Sequence, residues 1–161
     1  MIERTQALWV IYLSLGVALM TMLLPLPLEW RMLRPDFVAL ALFYWVLALP
    51  HQVGVTTAFG VGLVQDLIEG APLGISCFGL MVATLVLLFS YQRIRQFDGL
   101  QQSLVMLALM ALSLGIEGWL RTGIDLPTPP LTGLLGLAIS MLCWIPTRHV
   151  CRQLRRYYGV V

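Results

Sequence analysis

The chain has 161 residues, of which 59% are hydrophobic and 11% are charged. Soluble globular proteins contain roughly 45–50% apolar and about 25% charged residues, so this composition indicates an integral membrane protein. A chain this short that crosses a membrane several times has no length left for a separate soluble catalytic domain. Its net charge of +2 is too small to identify a partner.

Long runs without Asp, Glu, Lys or Arg mark the candidate membrane spans. Each run reaches the 18 or so residues that a helix needs to cross a bilayer. In chain order the runs are 6–28, 37–65, 70–92, 99–116 and 126–147.

The second of these runs, 37–65, is too long for one upright span. Its 29 residues would extend about 43 Å as a helix, against a hydrocarbon core of about 30 Å. Pro50, His51 and Gly54 would then place helix breakers and a polar ring at the bilayer centre. We therefore predict two short helices joined by a tight hairpin at Pro50 and His51. The six predicted spans are about 7–28, 37–50, 53–67, 72–91, 101–120 and 130–147.

The distribution of arginine does not decide between six spans and five. Six spans with a cytoplasmic N-terminus place seven arginines inside and three outside, whereas five spans with an external N-terminus place eight inside and two outside. Both topologies put the C-terminal tail, 148–161, in the cytoplasm. The sequence thus predicts an all-α, multi-pass protein with a single membrane domain, 1–161, and six helices, with five as the alternative.

In the six-span topology, acidic residues collect at the outer ends of the spans. The outer set of charges sums to −3 and the inner set to +5. Charges at this depth are costly unless they are paired or hydrated, and Arg34 with Asp66, and Glu117 with Arg121 at i,i+4 spacing, are candidate pairs. One interpretation is an outer cup that accepts a ligand or a partner segment, and the other is that the charges only mark the ends of spans. The candidate cup residues are Arg34, Asp36, Asp66, Glu69, Glu117 and Arg121.

Small residues concentrate in and after the third predicted span. Helix association in lipid depends on close packing, which small side chains permit. This segment is therefore predicted to be a contact helix, and the pattern leaves open whether its neighbour belongs to this chain or to another protein. The candidate packing glycines are Gly54, Gly60, Gly62, Gly70 and Gly74.

The C-terminal tail is basic and amphipathic. Its arginines suit anionic lipid headgroups, at roughly 1 kcal/mol per arginine near the surface. The tail is interpreted as a topology anchor, with a cytoplasmic filament or enzyme as the alternative partner, and nucleic acid is not expected. The arginines are Arg148, Arg152, Arg155 and Arg156.

The sequence contains no recognisable catalytic constellation. It has no H-E-x-x-H, G-x-S-x-G or P-loop motif and no pair of aspartates within spans. His51 is predicted at the opposite membrane face from Asp66, so a relay between them fails on geometry. The three cysteines show no C-x-x-C spacing and are interpreted as packing residues. We expect no enzymatic activity, no cofactor and no metal.

Several short motifs between residues 34 and 74 follow one another in a specific order. They are Arg34-Pro35-Asp36, Phe43-Tyr44-Trp45, Ala48-Leu49-Pro50-His51, Gly60-x-Gly62 and Asp66-Leu67-x-x-Gly70-x-x-Leu73-Gly74. Their order and spacing resemble the rod shape-determining MreD family of Gram-negative bacteria. Chain length, the early single span and the basic C-terminal end agree with this resemblance over the whole chain.

The resemblance implies a non-enzymatic inner-membrane component of the cell-elongation complex. Its implied direct partner is MreC, with MreB filaments, the glycosyltransferase RodA and its penicillin-binding transpeptidase in the same complex, and membrane lipids around it. The family is also similar in fold to the S-components of vitamin transporters, which have six helices and an outward-facing pocket. A small-molecule-binding subunit of a transporter is therefore the alternative function, although likeness of fold does not transfer a ligand.

Overall fold

A computed structural model describes residues 3–24, 35–126 and 133–158 of the chain. These residues form six α-helices and no β-strand, which confirms the all-helical prediction. The helices are α1 (Glu3–Met22), α2 (Phe37–Ala48), α3 (Val55–Glu69), α4 (Ile75–Ile94), α5 (Gly99–Gly123) and α6 (Gly133–Tyr157).

Among the described residues, two helices are long and apolar enough to cross a membrane. They are α4 and α5, with 20 and 25 residues. α6 is also 25 residues long, and it continues as a helix well past residue 147, where the sixth predicted span ends. Residues 148–157 of the predicted tail are therefore an extension of α6.

α2 is the central helix of the bundle. Its side chains are buried without interruption from Val38 to Leu47, and it contacts α1, α4, α5 and α6. A helix that is apolar on every side has no polar face to present to water, so it is stable only when it is surrounded. Trp45 and Phe43 are among its fully buried side chains.

The 37–65 run is broken into two helices. The amides of Gln52 and Val53 both donate to the carbonyl of Leu49, each at 3.0 Å, and this closes a turn around Pro50 and His51. The two helices do not pack side by side, however, because α2 lies among the other helices while α3 packs mainly on α4. The connection is a tight turn around Pro50 and His51, where the sequence predicts one, and the two helices that it joins pack mainly on other helices.

Two glycines allow α4 to pack closely against its neighbours α3 and α5. A Cβ added at Gly62 of α3 would collide with the backbone of Cys77 in α4, and one at Gly79 of α4 would lie 2.7 Å from Oγ of Ser113 in α5. Gly62 therefore packs as predicted. Gly79 was not among the candidates, because it is an isolated glycine in an apolar run.

The other candidate packing glycines do not support helix packing within the described part of the chain. A Cβ at Gly54 or Gly60 would meet no atom of the described residues within 4 Å. Gly70 and Gly74 have positive φ angles of 65° and 108°, a backbone conformation that glycine adopts without a steric penalty. These last two glycines shape the turn between α3 and α4, so their role is conformational.

The helix ends gather at two ends of the bundle. At one end, the ring of Trp9 in α1 packs edge-on against Tyr158, with ring centroids 6.2 Å apart, and Arg148 lies beside Gly99. At the other end, the amide of Asp36 donates to Oγ of Ser140 at 3.1 Å. We call the first the basic end, after Arg148, Arg152, Arg155 and Arg156, and the second the acidic end, after Asp36, Asp66, Glu69 and Glu117.

Candidate partner-binding site

Asp36 fixes the start of α2 at the acidic end. Its Oδ1 accepts a hydrogen bond from the amide of Ala39 at 3.0 Å, which makes it the N-cap of α2. Its own amide donates to Ser140 of α6, and Ser140 donates in turn to the carbonyl of Gly136. Asp36 thus joins α2 to α6 while its side chain stays partly exposed.

Asp66 has a structural role that the sequence did not indicate. It is fully buried, and its two carboxylate oxygens accept hydrogen bonds from the amides of Gly74 at 2.7 Å and Ser76 at 2.9 Å. A carboxylate is favourable at the N-terminus of a helix, here that of α4, because unpaired amides and the helix dipole face it. The prediction that Asp66 lines an open cup is wrong, since its oxygens serve the turn. Arg34, its predicted partner, lies outside the described residues.

Glu117 and Arg121 occupy the last turns of α5. Oγ of Ser113 donates to Oε1 of Glu117 at 3.3 Å. The carboxylate of Glu117 interacts electrostatically with Asp36 of α2, Glu69 of α3 and Arg121. Arg121, the predicted i,i+4 partner, and two acidic groups from other helices thus act on the same carboxylate.

Glu69 is held by a residue that the sequence analysis did not single out. Nε2 of Gln65 donates to Oε1 of Glu69 at 3.4 Å, one helical turn apart on α3. Gln65 is only 5% exposed, and its Oε1 is buried without a hydrogen-bond partner in the described part of the chain. The sequence could have pointed to Gln65, because it is a glutamine inside an otherwise apolar span. Burying an amide in lipid is costly, so such a residue needs a reason to be there.

The structure thus brings together four of the six candidate cup residues. We define the rim site as Asp36, Gln65, Glu69, Glu117 and Arg121, contributed by α2, α3 and α5. Its members lie close enough for electrostatic interaction. In the part of the chain that the structure describes, no group of His, Cys, Asp and Glu has the arrangement of a metal site. The rim site is thus a cluster of charged and polar side chains at the acidic end of the bundle.

One face of α3 points away from the bundle. Phe59 and Leu67 on this face are about half or more exposed, at 48% and 63%, and Gly60 has open space above it. Thr56 and Val64 are exposed on the same face. We call these five residues the outer face of α3, and it leads along the helix toward the rim site.

The basic end presents a second polar surface. Arg152 and Arg156 are exposed, whereas Arg148 and Arg155 are partly buried. Tyr157 is 84% exposed beside them. Aromatic and basic side chains together are typical of the border between membrane and water.

Comparison with known proteins is consistent with these features. No solved structure matches the chain. The rod shape-determining protein MreD of Haemophilus influenzae is 29% identical over 149 residues, which cover 92% of this chain and 92% of that protein. The family model described as rod shape-determining protein MreD matches residues 3–154. This is a family of membrane proteins of the cell-shape machinery and not a known family of enzymes. By this match over nearly its whole length, the chain belongs to the family of rod shape-determining proteins MreD and has its role in rod shape determination.

Proposed function

We propose that this protein is a non-enzymatic inner-membrane scaffold of the cell-elongation complex. It binds MreC and helps to couple MreB filaments in the cytoplasm to peptidoglycan synthesis by RodA and its transpeptidase. The observation that carries the proposal is the outer face of α3 beside the rim site. This apolar face adjoins a polar cluster, and no atom of the described residues lies within 4 Å of a Cβ placed on its glycine, Gly60.

Gly60 is the centre of the proposed contact with MreC. In lipid, helices associate through close packing, and a glycine on the surface lets a second helix approach. Gly62 is used for packing inside the chain, whereas no described atom lies within 4 Å of a Cβ at Gly60. We infer that the transmembrane helix of MreC packs along the outer face of α3 and that its following segment reaches the rim site.

The proposed topology is six spans in a single domain, with both termini in the cytoplasm. The contact between Trp9 and Tyr158 supports it, because the first helix then begins on the side of the membrane where the last helix ends. The excess of arginine at the basic end supports the cytoplasmic assignment of that side. α2 has only 12 residues, about 18 Å of helix, so it spans the bilayer only as part of the surrounding bundle.

The test is capture of MreC by the full-length protein in detergent. Gly60→Leu should lower capture at least fivefold or so, because a side chain would hold the two helices apart. Gly115→Leu is the matched control, since Gly115 is an exposed glycine on α5 with equally open space around it. Equal capture by both variants at equal thermal stability would contradict the proposed interface.

Native mass spectrometry of the same preparations separates the proposal from its alternative. A scaffold should release no stoichiometric small molecule. A vitamin-like ligand that is retained by wild-type protein, together with unchanged MreC capture in Gly60→Leu, would instead support the transporter-subunit function that the likeness to S-components implies.

A further inference from the structure

We propose that the basic end binds an anionic phospholipid, whose phosphate is held by arginines of α6 and whose acyl chain lies in an apolar groove beside them. In the proposed topology this lipid belongs to the inner leaflet. The binding itself does not depend on the contact with MreC, which we place on α3.

Three arginines form one stripe along the last turns of α6. Arg148, Arg152 and Arg156 are spaced four residues apart, so their side chains follow one another along the same side of the helix. None of the three makes an ion pair with a described residue. The acidic residue before α5, Asp98, is exposed and pairs with none of them. The stripe therefore presents like charges that an anion would neutralise.

An apolar groove runs beside this stripe. It has a volume of about 620 Å³ and is lined by Val150, Gln153, Leu154, Arg156 and Tyr157. Val150 and Tyr157 are 56% and 84% exposed, and with Leu154 they follow the i, i+4, i+7 spacing of one helix face. Arg156 belongs to both the groove and the stripe. A ligand with an apolar chain and an anionic head can therefore occupy both at once.

The aromatic residues at the end of α6 place both features near the lipid headgroups. The ring of Tyr158 packs edge-on against Trp9 of α1 and against Tyr157, with ring centroids 6.2 Å and 5.1 Å apart. Tryptophan and tyrosine are enriched at the border between membrane and water. From Arg148 to Tyr157 the helix extends about 13 Å, so the whole stripe lies within reach of the headgroups.

The chemistry of the stripe selects the headgroup. The chain has no lysine, and the planar guanidinium of arginine binds phosphate oxygens through two parallel hydrogen bonds. A zwitterionic lipid carries its own ammonium group, which the arginines would repel. Free phosphate would leave the apolar groove uncovered. An anionic phospholipid such as phosphatidylglycerol fits both the stripe and the groove.

The first experiment removes charge from the stripe. Delipidated full-length protein in detergent is titrated with phosphatidylglycerol, and native mass spectrometry measures the bound lipid. Arg152→Gln with Arg156→Gln should lower the affinity about tenfold, since each arginine near a membrane surface attracts anionic lipid.

Arg93→Gln with Arg95→Gln is the matched control. It removes the same charge from two exposed positions at the end of α4, and the affinity should change by no more than about twofold. Unfolding temperatures without lipid should match in both double variants, because all four side chains are exposed. Equal losses of affinity would show a general attraction between opposite charges and overturn the stripe as the binding site.

The second experiment tests the groove. Val150→Ala with Tyr157→Ala should lower the affinity for long-chain phosphatidylglycerol about threefold or more, because apolar contact is lost. A short-chain phosphatidylglycerol should bind this variant and the wild type alike, since the headgroup contact is intact. Phe89→Ala is the control, because Phe89 is 86% exposed on α4 and does not line the groove. Loss of affinity for both lipids, or for neither, would overturn the acyl-chain contact.

Competing ligands separate the lipid from other occupants. Phosphatidylcholine should bind about tenfold less tightly than phosphatidylglycerol, and inorganic phosphate at about 0.05 M should leave phosphatidylglycerol bound. Equal binding of the two lipids would overturn the anionic headgroup, and displacement by inorganic phosphate alone would overturn the lipid. Capture of MreB filaments that requires Arg152 and Arg156, with no lipid retained, would overturn the proposal in favour of a protein partner.

Discussion

The amide of Ser76 donates a hydrogen bond to Oδ1 of Asp66 over 2.9 Å, so the last turn of α3 holds the first turn of α4. Gly74 donates to the other oxygen of the same carboxylate at 2.7 Å. The carbonyl of Asp66 also accepts from Gly70 and Ala71 at the end of α3. A single residue therefore closes the turn through both its side chain and its backbone.

We expect Asp66→Ala to lower the free energy of unfolding by about 2 kcal/mol or more, because the buried amide of Ser76 and the partly buried amide of Gly74 lose a charged acceptor. Asp66→Asn should cost less, since an amide oxygen can still accept one of the two bonds. Unfolding in mixed detergent micelles measures both. An Asp66→Ala variant that is as stable as the wild type would show that the carboxylate does not hold the turn.

Gly62 and Gly60 should respond in opposite ways to alanine. Gly62→Ala places a methyl group against the backbone of Cys77, and overpacking of this kind costs about 1–3 kcal/mol. Gly60→Ala meets open space, and replacing glycine inside a helix then stabilises by up to about 1 kcal/mol. Thermal unfolding of the two variants without MreC gives the comparison. Equal destabilisation would contradict the orientation of α3.

Trp45 is linked to α1 through Ser14. Nε1 of Trp45 donates to Oγ of Ser14 at 2.7 Å, and this oxygen donates to the carbonyl of Ile11. Ser14→Ala leaves the buried indole N–H without an acceptor, which should cost about 1–3 kcal/mol. Ser103→Ala is a suitable control, because among the described residues the hydroxyl of Ser103 bonds only to the carbonyl of Leu100 in its own helix.

A cycle with Trp45→Phe isolates the contact between the two helices. The double variant should be destabilised by less than the sum of the single variants, because the interaction is lost only once. Strict additivity in this cycle would mean that the bond does not contribute to stability.

Cys151 should be nearly inert toward maleimides at neutral pH. It lies past the sixth predicted span but is only 5% exposed, and burial raises the pKa of its thiol to about 11. Only the thiolate reacts, so labelling should be slow at pH 7 and accelerate as the pH approaches 11. Gln153→Cys, two residues further on an exposed position, should label at least tenfold or so faster. Equal rates at the two positions, followed by mass spectrometry, would contradict the burial of Cys151.

The general fold follows from the sequence because its causes are local. Long uncharged runs in a bilayer must become helices to satisfy their backbone groups, and Pro50 stops the helix before it. The family resemblance, read from motifs between residues 34 and 74, is confirmed by the match over residues 3–154. None of these steps requires knowledge of which helices touch.

The roles of individual residues at the acidic end depend on packing and were predicted less well. Gly60 and Gly62 are two positions apart, about 200° around a helix, so they cannot face the same neighbour, and composition does not say which one is inside. In the sequence, Asp66 and Glu69 are both acidic residues at the end of a span, and nothing in it distinguishes their roles. Only the turn through Gly70 and Gly74 shows that Asp66 faces inward to α4 while Glu69 joins the rim site.

The enclosure of α2 determines the order in which this protein can be assembled. α2 leaves the ribosome second, yet its walls include α4 and α6, which are synthesised later. Until α6 is in place, one side of the most apolar helix lacks its final neighbour. The bundle is therefore complete only when its last helix, α6, has packed against α2. A chain shortened before Gly133 lacks this helix.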